Sequence, residues 1–376
     1  SDVRRSTVSA AAVGLVLAAC GSDSGGDADE FPTTAETMVA AAPVTVDQVE
    51  ASPRAVTTSG LDIVAGGSVA GAPEPLVDPS EIRSGGPPPD GIPSIDDPTF
   101  LSPGAVEFLG ETEPVVAIEV DGDARAYPVQ ILMWHELVND TIGGVPVTVS
   151  YCPLCNSAVA YDRRLDGRVL EFGTSGRLWN SALVMYDRQT ETLWSHFTAQ
   201  GIVGELTGAE LETLPVATVP WGVWRDANPG GLVLSRDTGF EREYGRNPYL
   251  GYDDIDGTPF LFEGDVDGRY TAMTRIVGVE VEGDAVAIPL ARLRDARVVD
   301  AEVGGTEVVV LWQPGTASAL DTDDIAAGAD VGATGVFVPV VDGRRLVLEP
   351  TDDGFVDAQT ASTWSILGEA TAGALA

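Results

Sequence analysis

The sequence contains an internal repeat that limits the folds open to it. When the chain is aligned with itself at a shift of 161 residues, Val116–Ala158 matches Val277–Ala319 without a gap. A second block, Asp187–Ser195, matches Asp357–Ser365 at a shift of 170 residues. Because the register holds without a gap over 43 residues, the sequence predicts two copies of one supersecondary unit, packed as a pseudo-symmetric pair.

Each copy combines several strands with one helix. Runs of β-branched residues indicate strands, and a proline suits the first position of a helix, where its missing N–H is not needed. Double glycines then end the helix and release the chain into another strand. The fold class that follows is strand-rich α+β. The predicted elements are strands Val115–Val120 and Ile276–Val281, helices from Pro128 to about Asp140 and from Pro289 to about Asp300, turns at Gly143-Gly144 and Gly304-Gly305, strands Val145–Tyr151 and Thr306–Trp312, and shorter strands at Arg168–Phe172, Ala182–Tyr186 and Thr192–Ser195.

The repeat also separates residues needed by the fold from candidates for chemistry. Residues found in both copies are attributed to the fold. The first copy alone contains the two histidines of the chain and two of its three cysteines. The second copy has residues at these positions that do not readily bind a metal. The substituted pairs are His135 with Ala296, Cys152 with Gln313, Cys155 with Thr316, and His196 with Ile366.

These four residues form the predicted site. Cys152 and Cys155 are spaced i, i+3 directly after a strand, so a tight turn can present both sulfurs to one centre. Thiolates and imidazoles together suit zinc or copper. The sequence therefore predicts a Cys2His2 soft-metal site, with copper or zinc as the cofactor, formed by His135, Cys152, Cys155 and His196. Polar residues expected near the site or lining a cleft are Glu136, Asn156, Arg177, Asn180 and Arg188.

Two other interpretations of the cysteine pair remain open. Outside the cytosol a vicinal pair oxidises unless a metal or a reductant holds it, so Cys152 and Cys155 are also candidates for a thiol–disulfide oxidoreductase. A disulfide that merely staples the turn, in a non-enzymatic surface module, is the other alternative. A zinc ion that only stabilises the fold would use the same ligands. The sequence does not decide whether the protein is an enzyme.

The N-terminal residues are typical of a targeting signal. Arg4 and Arg5 precede the apolar run Thr7–Ala19, which is shorter than the roughly 20 residues needed to span a bilayer. The run ends in Leu-Ala-Ala-Cys, so we expect Cys20 to be lipidated and to anchor the protein to the extracytoplasmic face of a bacterial membrane. An ordinary signal peptide with a cysteine nearby is the alternative. The Gly-, Ala-, Ser- and Pro-rich residues 20–79 are expected to be a disordered tether.

The charge of the chain disfavours nucleic-acid partners. There are 58 acidic residues against 21 basic ones, all arginine, which gives a net charge of −37. A surface this acidic repels phosphate backbones. The expected partner is the membrane, because Cys20 is expected to carry a lipid. The sequence identifies no protein partner.

Several motifs in the rest of the chain resemble one family. They are Ser84–Pro93, Asp97–Phe100, Trp134–Asp140, Tyr151–Ser157 and Phe172–Gly176. The chain in these motifs is similar to the bacterial family known as domain of unknown function 3179, over roughly Pro79 to the C-terminus. The resemblance implies that residues 85–100 belong to the folded domain, and it supplies no activity. The expected organisation is a signal peptide at 1–19, a tether at 20–79, a first copy with the Cys/His site at 80–250, and a degenerate second copy at 251–376.

Overall fold

A computed structural model of the chain describes residues 59–67, 71 and 73–376. The predicted signal peptide and Cys20 lie outside the described residues. Within them, strands predominate and the helices are short, so the strand-rich class is confirmed. The strands are β1 (Ile82–Ser84), β2 (Phe100–Leu101), β3 (Pro114–Val120), β4 (Asp123–Pro128), β5 (Leu137–Ile142), β6 (Val145–Cys152), β7 (Ser157–Asp162), β8 (Arg164–Leu165), β9 (Arg168–Val169), β10 (Phe172–Trp179), β11 (Ala182–Asp187), β12 (Leu193–Ser195), β13 (Gly201–Val203), β14 (Thr213–Leu214), β15 (Ala217–Pro220), β16 (Leu232–Leu234), β17 (Ile276–Val281), β18 (Asp284–Pro289), β19 (Val298–Val303), β20 (Thr306–Gln313), β21 (Ala333–Phe337), β22 (Val340–Val341), β23 (Arg344–Arg345), β24 (Leu348–Thr351), β25 (Gly354–Asp357), β26 (Thr363–Trp364) and β27 (Ala370–Ala372). The α-helices are α1 (Gly60–Val64), α2 (Val129–His135), α3 (Trp221–Ala227) and α4 (Leu290–Ala296), and short 3₁₀ turns occupy Pro79–Glu81, Pro103–Ala105 and Ile325–Ala327. In the part of the chain that the structure describes, no helix combines the length and the apolar character needed to span a bilayer.

Two stretches of the chain pass through the same series of elements. The first is β3, β4, α2, β5 and β6, and the second is β17, β18, α4, β19 and β20. In each series one short helix lies between two antiparallel hairpins. The strand registers agree at a shift of 161 residues: Val115–Pro128 corresponds to Ile276–Pro289, and Leu137–Ser150 corresponds to Val298–Leu311.

The helices in these series are shorter than predicted. Helix α2 ends at His135 because the next residue, Glu136, has a φ of 59°, which a right-handed helix cannot continue. Helix α4 ends in the same way before Arg297, whose φ is 62°. The residues that follow pair as strands β5 and β19. The prediction that both helices continue to about Asp140 and Asp300 is therefore wrong.

The double glycines turn hairpins and do not stop helices. Gly143 and Gly144 join β5 to β6 with φ values of 56° and 82°. Two successive positive φ values are typical of the type I′ turn, whose twist matches that of the flanking strands. A Cβ atom on Gly143 would lie 2.3 Å from the carbonyl oxygen of Val120 at the end of β3. The backbone conformation and the close contact therefore both require glycine.

The site lies between two antiparallel sheets. One sheet has the order β14-β7-β6-β5 and the other β1-β10-β11-β12-β13. Their facing side chains form one apolar cluster, which includes Leu137, Cys152, Phe172 and Trp194. The opposite face of β5–β7 packs with α2 and with β3 and β4 in a second cluster. Side chains that alternate along β6 therefore enter two different cores.

We refer to residues 80–250 as the first half and to residues 251–376 as the second half. The two halves share a third cluster. Trp221 and Trp224 of α3 stack with ring centroids 5.8 Å apart and pack in the same core as Phe337, Phe355 and Trp364. Burying large aromatic surfaces contributes strongly to stability. The aromatic cluster therefore joins the second half to the first.

Part of the segment predicted as a tether is structured. Ser59 caps helix α1, which lies within residues 20–79, and Gly60 N donates a hydrogen bond to Glu191 O at 2.9 Å. Leu61 and Ile63 pack against a small core formed by β1, β11 and β13. This piece of the chain therefore lies on the first half.

A buried carboxylate stabilises the turn before β12. Asp187 accepts a hydrogen bond from Trp194 Nε1 at 3.0 Å and others from Thr190. Its side chain is fully buried, and burial raises its pKa, against the lowering effect of these hydrogen bonds. Asp357 makes the same 3.0 Å contact with Trp364 Nε1 in the second half.

We expect Asp187→Ala to lower the free energy of unfolding by about 2–4 kcal/mol, because the buried indole N–H and threonine hydroxyl lose their acceptor. Asp357→Ala should cost a similar amount for the same reason. Exposed Asp352 is the control, and Asp352→Ala should change stability by less than about 0.5 kcal/mol. Urea unfolding followed by tryptophan fluorescence measures all three. Equal stability of the Asp187 and Asp352 variants would contradict the role of the buried carboxylate.

Candidate functional site

The two cysteines of the predicted site are joined by a disulfide at the tip of a hairpin. Strand β6 ends at Cys152, a turn follows, and β7 begins at Ser157, which pairs directly with Cys152. Cys155 lies in the turn and is bonded to Cys152. Asn156, the last turn residue, has a φ of 47° and so occupies the left-handed region that asparagine tolerates. The predicted placement of the pair on a tight turn after a strand is confirmed.

The two sulfur atoms have different surroundings. Cys152 is 1% exposed, whereas Cys155 is partly exposed. The Sγ of Cys152 accepts two backbone hydrogen bonds, from Cys155 N at 3.3 Å and from Leu183 N at 3.5 Å. Backbone N–H donors favour a thiolate over a thiol. Cys152 is therefore the covered cysteine, whose sulfur accepts two backbone hydrogen bonds, and Cys155 is the more accessible residue of the pair.

His196 lies on the same side of the hairpin as Cys152. Its Nδ1 is 2.9 Å from Ser150 Oγ and its Nε2 is 3.0 Å from Ser157 Oγ. Its backbone N donates to the carbonyl oxygen of Leu183, the residue whose N–H contacts Cys152. Burial lowers the pKa of His196 to about 3. The imidazole is therefore neutral at physiological pH.

His135 belongs to a different set of contacts. Its Nδ1 lies 2.7 Å from Pro93 O, and its Nε2 lies 2.6 Å from the hydroxyl of Tyr244. The Phe240 ring covers it, with ring centroids 5.4 Å apart. Burial lowers its pKa as well. The structure thus places His135 under the segment that follows β16. It does not place His135 on the Cys152 side of the β6–β7 hairpin, where His196 lies.

The Cys2His2 arrangement is not assembled in this structure. The sulfurs of Cys152 and Cys155 are bonded to each other, and each imidazole nitrogen of His135 and His196 has a protein partner. Within residues 59–67, 71 and 73–376, no group of three or more histidine, cysteine, aspartate or glutamate residues is positioned to hold a metal ion. Copper or zinc binding stays a prediction, and it would first require reduction of the disulfide.

Glu136 is a buried carboxyl on the other face of the hairpin. Its carbonyl oxygen accepts a hydrogen bond from Tyr151 N at 2.7 Å, which extends the β5–β6 ladder by one residue. Burial raises the pKa of Glu136 to about 8. Burial also raises the pKa of Tyr249, and the nearby charge of Glu136 raises it further. Glu136 and Tyr249 therefore lie close together in an environment that favours the protonated acid.

The other predicted polar residues have local contacts. Asn156 Oδ1 accepts a hydrogen bond from Tyr151 Oη at 3.1 Å. Asn180, with a φ of 51°, begins the turn to Ser181, whose carbonyl oxygen is 4.0 Å from Cys155 Sγ. Arg177 pairs with Ser84 and so binds β1 to β10. Asn156 and Asn180 are thus the two of these residues whose turns flank the disulfide.

Arg188 holds residues 90–96, the segment before β2, against the strands of the first half. Its guanidinium contacts the carboxylates of Asp90, Asp96 and Glu171 and the hydroxyl of Ser94. Hydrogen bonds and charges from these acids raise its pKa, although partial burial opposes the shift. Within residues 90–96, the carbonyl oxygen of Pro93 contacts Nδ1 of His135. Arg188 therefore positions an element of the His135 environment and does not contact the disulfide.

Several residues around the site were missed by sequence reasoning. Ser150 and Ser157 flank the cysteine motif, and period-2 alternation places them on the Cys152 face, so the signal for them was available. Leu183 acts through a long-range contact that has no local pattern.

Comparison with known proteins gives one match. A family model described as "Protein of unknown function (DUF3179)" matches residues 89–376. No curated protein and no solved structure has a significant match to the chain.

After reduction, we expect a maleimide to label Cys155 roughly tenfold faster than Cys152, because Cys152 is almost fully covered. A short pulse of N-ethylmaleimide, followed by unfolding, alkylation with iodoacetamide and peptide mass spectrometry, measures the ratio. The urea-unfolded reduced protein is the control and should label both residues equally. Faster labelling of Cys152 in the folded protein would show that the described difference in access does not govern reactivity.

Proposed function

The chain belongs to the DUF3179 family of proteins of unknown function, and we propose that its Cys152–Cys155 disulfide undergoes thiol–disulfide exchange with thiol substrates. One observation carries this proposal. The partly exposed Cys155 is bonded to the buried Cys152, whose sulfur accepts two backbone N–H donors. A staple needs no such difference, whereas an exchange reaction needs an accessible sulfur to be attacked and a stabilised sulfur to leave.

The proposed reaction uses a dithiol as the co-reactant. A thiolate of the dithiol attacks Cys155 Sγ, the Cys152–Cys155 bond breaks, and Cys152 leaves with the electron pair as a thiolate. The second thiolate of the dithiol then attacks its own sulfur in the mixed disulfide and releases Cys155. The dithiol is oxidised to a disulfide by two electrons, and the protein gains two thiols after protonation.

The environment of Cys152 favours its role as the leaving group. The two backbone donors stabilise its thiolate, and a thiol of lower pKa leaves faster. His196 is neutral and holds Ser157, the strand partner of Cys152, through its Nε2. We infer that His196 is a positioning residue, because an imidazole with this pKa does not carry a charge at physiological pH.

The charge of the chain narrows the substrate class. A net charge of −37 creates a negative potential that slows the approach of anions. We therefore propose neutral or cationic thiols, including thiols on basic peptide surfaces, as the substrates.

We expect cationic cysteamine to react faster than neutral 2-mercaptoethanol, and anionic 2-mercaptoethanesulfonate to react slowest. With rates corrected for thiolate concentration, the two extremes should differ roughly tenfold at low ionic strength and converge at 0.5 M salt. Mass spectrometry of the mixed disulfide on Cys155 measures each rate. Bis(2-hydroxyethyl) disulfide is the uncharged control substrate for intrinsic thiol reactivity.

Two outcomes would count against the proposal. If the folded protein resists all three thiols while the unfolded protein reacts, the disulfide is a structural staple. If the reactions proceed without a charge order, exchange stands and the substrate class is wrong.

A soft metal bound by the reduced protein is the second candidate function. Its support is that reduction would release two thiols in the same hairpin as Ser157, the strand partner of Cys152, which contacts the neutral imidazole of His196. Sulfur and imidazole ligands suit copper or zinc. His135 would join them only if its contacts with Pro93 and Tyr244 opened. Metal content of the anaerobically reduced chain distinguishes this candidate, since exchange requires no metal.

We also infer that the two series of elements are copies of one unit, a working copy at 80–250 and a degenerate one at 251–376. Their support is the common strand register and the common glycine contact: a Cβ on Gly304 would lie 2.3 Å from Val281 O, as for Gly143 and Val120. The second copy has Gln313 and Thr316 at the cysteine positions, so it would serve as the framework.

The proposed location is the extracytoplasmic face of a bacterial membrane, with a lipid on Cys20. Its support is the apolar run that ends in Leu-Ala-Ala-Cys. We expect Cys20→Ser to move the protein from the membrane fraction to the soluble fraction, because the lipid is the proposed anchor. Immunoblotting of fractionated cells measures this, with Cys155→Ser as the control that should stay in the membrane. Membrane association of Cys20→Ser would disprove the lipid anchor.

A further inference from the structure

A second polar site lies away from the disulfide turn. A shallow cleft of about 600 Å³ opens between the segment that contains Phe108 and Glu113, the segment after β16 that contains Arg236 and Tyr244, and the second-half segment that contains Asp324. None of the residues that line this cleft contacts Cys152 or Cys155 in the described chain. The cleft is therefore a separate candidate for ligand binding.

Arg236 is held in place with one side of its guanidinium free. Its Nε donates to Gln130 Oε1 at 2.8 Å, and its Nη2 donates to the same oxygen and to Tyr244 O. The guanidinium lies over the Phe108 ring, 4.8 Å from the centroid. Its Nη1 has no hydrogen-bond partner among the described residues and belongs to a side chain that lines the cleft. A fixed arginine with one free nitrogen suits a carboxylate oxygen, to which Nη1 can donate a charge-assisted hydrogen bond.

Buried residues support this arginine. Gln130 is 1% exposed and donates from Nε2 to Glu113 Oε2 at 2.6 Å. Glu113 is 4% exposed and also accepts a hydrogen bond from Gly110 N at 2.8 Å. Burial raises the pKa of Glu113, against the lowering effect of its hydrogen bonds with Gly110 and Gln130 and of the Arg236 charge. Glu113, Gln130 and Arg236 thus form a connected polar chain that leads from the core to the cleft.

The lining of the cleft also contains two aspartates. Asp324 lies in the lining, and Asp323 beside it is paired with Arg246. A simple anion would gain a contact with Arg236 but would meet the Asp324 carboxylate and the negative potential of the whole chain. A ligand that carries one positive and one negative group satisfies both of these charges without adding net charge.

We propose that this cleft binds a small α-amino acid zwitterion, with its carboxylate on Nη1 of Arg236 and its ammonium group towards Asp324. The rings of Phe108 and Tyr244 provide apolar surface for the side chain of the ligand. The Tyr244 hydroxyl is fixed by His135 Nε2 and by Thr238 Oγ1, each at 2.6 Å. His135 is therefore a positioning residue that orients one wall of the cleft.

Matched ligands test the need for both charges. L-leucine should bind to the full chain in isothermal titration calorimetry at low ionic strength. 4-Methylpentanoate, which lacks the amine, and 3-methylbutylamine, which lacks the carboxylate, should each bind at least roughly tenfold more weakly. Equal affinity for leucine and either half-molecule would overturn the proposal, and so would the absence of binding by leucine.

Matched variants test the position of the ligand. Arg236→Met should abolish leucine binding. Arg236→Lys should weaken it while keeping the charge, because lysine cannot make both contacts, with Gln130 and with Tyr244, that hold the guanidinium in place. Arg345→Met is the control: Arg345 lies outside the lining of the cleft and pairs with Asp300 and Glu307, so binding should change by less than about twofold. Circular dichroism establishes that each variant is folded. Equal loss in the Arg236→Met and Arg345→Met variants would overturn the assigned position.

Discussion

The hairpin turn at Gly143-Gly144 is the constraint on which the candidate site depends. Because the turn has two residues with positive φ, it fixes the register in which Leu137 faces Ser150. That register places Cys152 at the open end of β6, and it places Glu136, at the end of α2, beside Tyr151. The contact of Gly143 with Val120 O then seats the hairpin against β3. A one-residue slip of β6 in this register would move Cys152 to the opposite face of the hairpin, away from the core that contains Leu137 and Trp194.

The sequence allowed prediction of the strand-rich class and of the turn that contains the cysteines, because each is a local pattern. Helix lengths could not be predicted in the same way. The sequence predicts that the helix reaches about Asp140, because this segment follows a proline and precedes two glycines. The same glycines suit a hairpin, and the pairing of β5 with β6 decides between the two. The separation of His135 from His196 was also beyond prediction. His196 meets the Cys152 face through β11, whereas His135 contacts Tyr244, about a hundred positions further along the chain.

Burial shifts the pKa values of His196 and Glu136 near the hairpin. His196 then reduces stability as the pH falls, and Glu136 reduces it as the pH rises. The pKa of His196 is lowered from 6.5 to about 3, so below pH 6.5 the unfolded chain binds a proton that the folded chain does not. This group therefore reduces stability as the pH falls from 6.5. The pKa of Glu136 is raised from 4.5 to about 8, so the folded chain retains a proton that the unfolded chain loses. This group reduces stability as the pH rises from 4.5 towards 8.

The position after α2 and α4 shows how one backbone requirement can accommodate different chemistry. Glu136 and Arg297 have nearly the same positive φ, and both let the chain leave a helix and enter a strand. Glu136 is a buried carboxyl near Tyr249, whereas Arg297 donates to Thr351 O and lies over the Phe355 ring. Because the turn is defined by the backbone, the side chain can change without loss of the turn. The same reasoning applies at Cys152 and Gln313, which end equivalent strands. The side chains at these two positions can therefore differ while the backbone and its packing stay the same.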